Sequence, residues 1–249
     1  MKCKISITVD ELILRQIDAI CDKRSINRSR YIELLLKEDF EDMPVLILAG
    51  GARINGIDKS LMEYNGKKII DHQIRYLKHH DFFNINVATD SRLLEDYIKR
   101  NHKNVHVLYE KSLLGSGGAI RQWGPRLGKE LLIVHCDVLS GIDLKQLVAF
   151  HKENKSAASL VLKTMNPYNQ YGVARLEGSR ISDFMEKPEK SNSYLCYTGI
   201  SIFTKSAMEK LAETGRYEFQ MNNISHKYGY VFEGFWKTFE KPEDFENKM

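Results

Sequence analysis

Long apolar runs are missing from this 249-residue chain. Nothing in it approaches the roughly 20 consecutive apolar residues of a membrane-spanning helix. The N-terminus also lacks the apolar core of a secretory signal, so a cytoplasmic protein with no membrane partner is expected. Cysteine is scarce: Cys3, Cys21, Cys136 and Cys196 are scattered, with no Cys-x-x-Cys pair. That argues against structural zinc and for reduced thiols. Repeats and low-complexity segments are absent too. The net charge is only +4, so composition by itself demands no nucleic acid, and any DNA reading has to rest on a local motif. What remains, 43% hydrophobic and 28% charged, suits one large α/β domain or a medium one with a small appendage.

The most informative stretch is Val45-Leu46-Ile47-Leu48-Ala49-Gly50-Gly51-Ala52-Arg53, followed by Asp58-Lys59. A short apolar run ending in paired glycines reads as a buried parallel strand that turns sharply at its carboxyl end and leaves backbone N–H groups free. Open α/β sheets bind ligands at that edge. Free N–H groups beside Arg53 and Lys59 make a phosphate site. An ordinary Gly-Gly turn with solvated basic residues fits the same letters, and both readings stand at this point.

Downstream, helical and strand patterns alternate. A helix is expected from Asp71 to Lys78, a strand over Ile85–Thr89, a helix around Leu93–Ile98 and a strand over Val105–Tyr109. Such alternation predicts a parallel sheet with crossover helices. Leu114-Gly115-Ser116-Gly117-Gly118-Ala119-Ile120 then packs glycines into a strand-to-helix turn, against which a flat ligand can lie. The strand Leu131–His135 ends at Cys136-Asp137, putting a carboxylate at the same sheet edge. It suits Mg²⁺, which takes one or two carboxylates plus substrate phosphates, or it simply caps the loop. The last third turns to antiparallel strands at Ala158–Lys163, Gly172–Leu176, Ile181–Phe184 and Tyr197–Phe203.

The first forty residues form their own pattern. Lys2 to Asp10 alternate as a half-buried strand, a helix follows from Asp10 with Ile13, Leu14, Ile17, Ile20 and Cys21 on one stripe, and a second starts at the N-cap Asn27. One strand and two short helices cannot bury this much apolar surface alone, which implies dimerisation. Through Ile5–Asp10 and Asn27-Arg28-Ser29-Arg30-Tyr31-Ile32 the segment resembles the ribbon-helix-helix DNA-binding family. That resemblance implies an antiparallel strand pair from two chains lying in the major groove of double-stranded DNA. By position, Lys4, Ser6 and Thr8 would face base edges, while Asn27, Arg28 and Ser29 would clamp a phosphate. A dimerisation module without DNA, or a docking helix pair, remains the other reading. The boundary is placed so that residues 1–43 form this small domain and residues 44–249 the larger one.

In the larger domain, Leu48-Ala49-Gly50-Gly51, Asp58-Lys59, Leu114–Ala119, Asp137, Tyr171-Gly172, Glu186-Lys187-Pro188, Gly199 and Trp236 with Pro242-Glu243-Asp244-Phe245 occur in one order. That order resembles the sugar-phosphate nucleotidyltransferases, nearest their heptose-1-phosphate guanylyltransferase branch. The resemblance implies a Rossmann-like α/β domain with a mixed, mainly parallel sheet. It also implies Mg²⁺-dependent attack of a sugar 1-phosphate on a nucleoside triphosphate, with pyrophosphate release. Arg53, Lys59 and Asp137 would be catalytic, and Leu48, Ala49, Gly50, Gly51, Glu110 and Gly115 would bind nucleotide. Glu110 would favour guanine, since a carboxylate accepts from N1–H and N2–H₂ together. Tyr171, Gly172, Glu186, Lys187 and Gly199 would bind the sugar phosphate, and Asp137 with Glu240 would hold the metal.

Several positions depart from that family. The first loop is short, running Gly51-Ala52-Arg53, and the second metal aspartate, two residues after Trp236, is Thr238. A threonine hydroxyl is a poor substitute for a carboxylate on Mg²⁺. Two functions therefore follow: a nucleotidyltransferase fused to a dimeric DNA-binding module, or a transcriptional regulator whose degenerate domain senses a nucleotide or sugar nucleotide.

Overall fold

The computed structural model describes residues 6–39, 43–166 and 170–246, with side chains for all of these except 34–39. The chain divides into two compact units, residues 1–42 and 43–249.

The first unit is a helix pair. In α1 (Glu11–Arg24) the Asp10 side chain accepts the Leu12 amide, and the helix ends where Ser25 turns left-handed at φ 51°. Asn27 accepts the Arg30 amide at the start of α2 (Arg28–Asp39). Ile17, Cys21 and Tyr31 form a small core. Ile7, Leu12 and Ile13 remain exposed, at 54%, 71% and 49%.

The expected strand over Lys2–Asp10 is not seen where the chain is described. Ser6–Asp10, carrying Ser6 and Thr8, run without a strand assignment, and Lys4 lies outside the described residues. A ladder needs a neighbouring strand, and none pairs with Ser6–Asp10 among the described residues. Arg28, expected on a phosphate, donates instead through Nε and Nη2 to both carboxylate oxygens of Asp18. Ser29 is exposed.

The second unit is built on a nine-stranded sheet. Its strands are β1 (Val45–Leu48), β2 (Ile85–Thr89), β3 (Val105–Tyr109), β4 (Glu130–His135), β6 (Ala158–Thr164), β7 (Val173–Glu177), β8 (Arg180–Met185), β9 (Leu195–Thr204) and β10 (Lys227–Val231). β5 (Val138–Ser140) pairs separately with β11 (Trp236–Thr238). The sheet order is β6-β10-β8-β7-β9-β4-β1-β2-β3, closed by a further pairing of β6 with β9.

β1 reads as a continuous apolar run because both its faces are covered. Val45 and Ile47 join a core with Ile70, Ile74 and Leu77 of α3 (Ile69–His79), Leu94 and Ile98 of α4 (Arg92–Asn101) and Leu147 of α6 (Leu144–Glu153). Leu46 points the other way, into a core with Ile120 of α5 (Gly115–Leu127), Met208 of α7 (Lys205–Glu209) and Tyr217.

The sheet is mixed, as expected, but it is not mainly parallel. β1–β2, β1–β4, β2–β3 and β6–β10 run parallel, against five antiparallel ladders: β4–β9, β6–β9, β7–β8, β7–β9 and β8–β10. Crossover helices build the parallel half. β7 and β8 are joined by a short hairpin instead, which reverses direction. No helix among the described residues is long and apolar enough to cross a membrane.

Candidate active site

Parallel register brings Leu48, at the end of β1, opposite His135, at the end of β4. The Cys136 amide donates to the Leu48 carbonyl at 3.1 Å, so the chain leaving β4 stays beside the glycine turn that leaves β1. Between them opens a cleft of about 450 Å³. Gly50 and Gly51 form one wall, with Gly51 in the left-handed region at φ 71°. A Cβ on Gly50 would sit 2.6 Å from the Glu110 carboxylate, so the turn and Glu110 meet only because the residue is glycine.

Lys59 follows Asp58 in a single turn of 3₁₀ helix and points inward. Its ammonium lies 2.8 Å from Asp137 and 3.5 Å from Glu240, with only 10% of the side chain exposed. Burial works against the charge, but Asp137 and then Glu240 outweigh it and hold the amine above its usual pKa. Glu240 reaches this point because β11 pairs with β5 and the Phe239 amide donates to the Asp137 carbonyl at 2.9 Å. Asp244 accepts the amides of both Glu240 and Lys241 at 2.8 Å and fixes that loop.

Glu110 lines the same cleft beside Gly115. Burial, with a smaller effect from Asp90, pushes its carboxyl up to about 7. Its Oε1 is buried and has no hydrogen-bond partner in the protein, an unmet acceptor. Gly115 is left-handed at φ 78°, and a Cβ there would fall 2.6 Å from the Gly215 carbonyl.

Across the cleft, Tyr171 packs edge-on against Trp236 with ring centroids 5.5 Å apart. The Tyr197 amide donates to the Gly172 carbonyl and the Lys187 amide to that of Tyr171, which brings Gly172, Glu186, Lys187 and Gly199 to one wall. Burial first, then Glu218, raises the Glu186 carboxyl to about 7, against the pull of Arg216 and Lys187.

The structure thus gathers most of the expected residues into one cavity, Leu48, Glu110, Asp137 and Glu240 included. Two lie elsewhere. Ala49 is buried in the core at 2% exposure. Arg53 turns to Asp90, at 2.9 Å, and Asp58, at 3.3 Å, and Asp90 also accepts the Gly51 amide at 3.0 Å.

Other cleft residues were invisible to spacing. His135, Ser116, Arg216 and Glu218 line it too. Their convergence depends on backbone bonds between the glycine turn and a distant loop, Gly117 amide to Gly215 carbonyl and Gly215 amide to Leu114 carbonyl. Asp137 and Glu240 both lie against the Lys59 ammonium and are the two carboxylates here that could hold a divalent ion completed by ligand phosphates. No cluster of three or more His, Cys, Asp or Glu suited to a metal occurs among the described residues.

Comparison with known proteins gives concordant matches. The sequence profile described as "Nucleotidyl transferase" matches residues 45–234. The chain is 28% identical over 189 residues to the D-glycero-alpha-D-manno-heptose 1-phosphate guanylyltransferase of Campylobacter jejuni, covering 72% of this chain and 83% of that protein. It is 26% identical over 234 residues to mannose-1-phosphate guanyltransferase beta-B of Xenopus laevis, covering 83% of this chain and 64% of the relative. The mannose-1-phosphate relatives are longer proteins, of which the chain spans 50 to 64%. Among solved structures, HddC from Yersinia pseudotuberculosis complexed with GMP-PN superposes with a TM-score of 0.69 at 18% identity, covering 82% of this chain and 96% of that one. At that identity the likeness is one of fold.

Proposed function

Because the chain belongs to the nucleotidyl transferase family, we propose that it transfers GMP from GTP to a sugar 1-phosphate with release of pyrophosphate. The observation that carries this reading is the buried Lys59 ammonium held between Asp137 and Glu240 beneath the Gly50–Gly51 turn. An oxygen of the acceptor phosphate attacks the α-phosphorus, and the bond to the β-phosphate oxygen breaks. Little covalent participation is needed from protein; positioning and neutralisation of charge carry the step.

Gly50 and Gly51 approach the triphosphate, and Lys59 meets the α-phosphate. Glu110 accepts from guanine while Gly115 lies under the base. Glu186 takes sugar hydroxyls and Lys187 the sugar phosphate, with Tyr171, Gly172 and Gly199 shaping that wall. Arg53 braces the first loop through Asp90. Asp137 and Glu240 would hold Mg²⁺, which when bound neutralises phosphate charge.

For the smaller unit we propose pairing with a second copy through the exposed Ile7, Leu12 and Ile13, in the manner of a ribbon-helix-helix dimer. The division into residues 1–43 and 44–249, contact of Lys4, Ser6, Thr8, Asn27, Arg28 and Ser29 with double-stranded DNA, and residence in the cytoplasm belong to the same proposal. Thr238, standing where the family carries a second metal carboxylate, favours a second reading: a regulator that binds nucleotide without turnover.

The deciding experiment is pyrophosphate release with Mg²⁺, GTP and a panel of sugar 1-phosphates, with CTP, UTP and dTTP for comparison. Release that depends on one sugar phosphate supports the transferase. Nucleotide binding without release on any combination overturns it and leaves the regulator, which then has to bind DNA at low salt.

A further inference from the structure

Gln73 is buried at 2% exposure in α3, whose other buried residues, Ile69, Ile70, Ile74 and Leu77, are all apolar. Its Nε2 donates to the His135 carbonyl and to the Val138 carbonyl, at 2.8 Å each. Carbonyl oxygens only accept, so the NH₂ end of the carboxamide faces them and both its hydrogens are spent there. The Oε1 end is buried with no partner among the described residues. An apolar side chain of the same length would fill this place without leaving an acceptor unmet, so packing alone does not account for a glutamine.

The two carbonyls bracket Cys136 and Asp137. The backbone between them also carries the other carboxylate: the Phe239 amide donates to the Asp137 carbonyl, and Val138 is in register with Thr238, so β11 brings Glu240 in on the stretch that Gln73 holds. At its own start α3 meets the turn of Lys59. The Ile69 amide donates to the Met62 carbonyl at 3.0 Å, and the Met62 amide to that of Lys59 at 3.2 Å. One helix therefore reaches both the Lys59 turn and the Asp137 turn, and Gln73 makes its bonds to the second. Tyr76, three residues on, donates to the Ile142 carbonyl instead, beyond β5 and outside the bracket.

We propose that Gln73 is a positioning residue: by clamping the carbonyls on either side of Cys136-Asp137, it sets where the Asp137 carboxylate stands against Lys59 and against a divalent ion. Gln73 does not line the cleft and acts only through the turn. Its effect on turnover rests on the transferase reading; its hold on the turn does not.

Cys136 reports on the turn directly. It is 2% exposed, and Cys196 in β9, at 0%, serves as an internal reference. The full chain is labelled with iodoacetamide in native buffer, and the two cysteine peptides are followed by mass spectrometry. Gln73→Met keeps the length of the side chain and loses both donors. It should speed labelling of Cys136 about tenfold or more while Cys196 stays within about threefold of the parent. The Mg²⁺ concentration for half-maximal pyrophosphate release should rise about tenfold or more. Tyr76→Phe, which removes a bond of the same helix outside the bracket, should leave both readouts near the parent's.

Equal acceleration at Cys136 and Cys196 is general destabilisation and overturns the inference. An unchanged Cys136 does so too, as does a Tyr76→Phe chain that behaves like Gln73→Met. A freed Cys136 with an unchanged Mg²⁺ dependence overturns it as well, since the turn then does not place the carboxylate for the ion. If Gln73→Met does not fold, the parent decides by nuclear magnetic resonance. Both Nε2 protons of Gln73 should exchange with solvent at least about tenfold more slowly than those of the exposed Gln170, and equal exchange overturns the clamp. A parent chain that releases no pyrophosphate overturns the transferase reading, and thiol labelling still decides the clamp.

Discussion

Lys59 and Asp137 are joined 2.8 Å apart across the cleft, although 78 positions separate them in the sequence. The same ammonium is 3.5 Å from Glu240. One buried cation between two carboxylates is a site in which charge is already arranged before a ligand arrives, the condition for electrostatic catalysis. Removing the Asp137 carboxylate leaves the buried ammonium with only Glu240, more distant and 44% exposed, as its partner.

Asp137→Asn is accordingly expected to lower pyrophosphate release by about a thousandfold, close to 4 kcal/mol of barrier, while circular dichroism stays that of the parent. Turnover within about tenfold of the parent would take Asp137 out of the mechanism.

Gly50→Ala tests the nucleotide wall by shape. The added methyl would meet Glu110 at 2.6 Å and Leu113 at 3.0 Å, so Glu110 must leave the position from which it would face the base. The GTP KM should rise about tenfold or more, with the acceptor KM little changed and a stability loss of only about 1 kcal/mol, because Gly50 is exposed at the end of its strand. A GTP KM equal to the parent's would show that this wall does not hold the nucleotide.

How far these features can be read from the letters differs by kind. The glycine turn and Asp137 were legible because backbone that approaches a ligand requires glycine, and a carboxylate at a strand's carboxyl end has few other uses. Arg216 and Glu218 were not, since Ser116 and Glu218 meet across 102 positions through a loop with no periodic signal. Arg53 was legible as a cation near the turn but not as Asp90's partner, which sits beyond the next strand. The antiparallel strands of the last third were legible, but not their weight in the sheet: alternating helices and strands announce parallel pairing in the first half, whereas β9 inserts between β7 and β4 by long-range pairing that no local pattern reveals.

The carboxyl of Glu110, raised to about 7 by burial and then by Asp90, gives a pH dependence with a definite sign. Below that value it is protonated and cannot accept both guanine donors; above it, the carboxylate can. The GTP KM should therefore rise as pH falls from about 8 to about 6, and Glu110→Gln should flatten that slope. A slope identical in the variant would assign the titration to another group.

His151 predicts a pH dependence of stability instead. It is 1% exposed, its Nδ1 is 2.9 Å from the Ser159 hydroxyl, and burial first, then Lys152, lowers its pKa to about 4. In the unfolded chain the imidazole returns to about 6.5, so between those values the unfolded state binds the extra proton. Stability is then fully present above about 6.5 and is lost as pH falls toward about 4, by up to about 3 kcal/mol. Urea midpoints should fall over that window in the parent and fall less in His151→Gln. Equal losses in both would show that carboxylates alone set the acid sensitivity.

Arg53 and Lys59 separate a brace from a ligand. Arg53 is held by Asp90 and Asp58, outside the cleft lining, whereas Lys59 points into the cavity. Because Asp90 also takes the Gly51 amide, the guanidinium braces the shape of the turn. Arg53→Ala should therefore cost stability, roughly 1 kcal/mol for a partly exposed pair and so about 2–4 °C in Tm, and raise the GTP KM only modestly. Lys59→Ala should leave kcat/KM lower by about a hundredfold or more under the proposed role of its charge at the α-phosphate. If Arg53→Ala instead matches Lys59→Ala in kcat/KM with an unchanged Tm, the guanidinium leaves Asp90 when nucleotide binds and belongs among the ligands of the triphosphate.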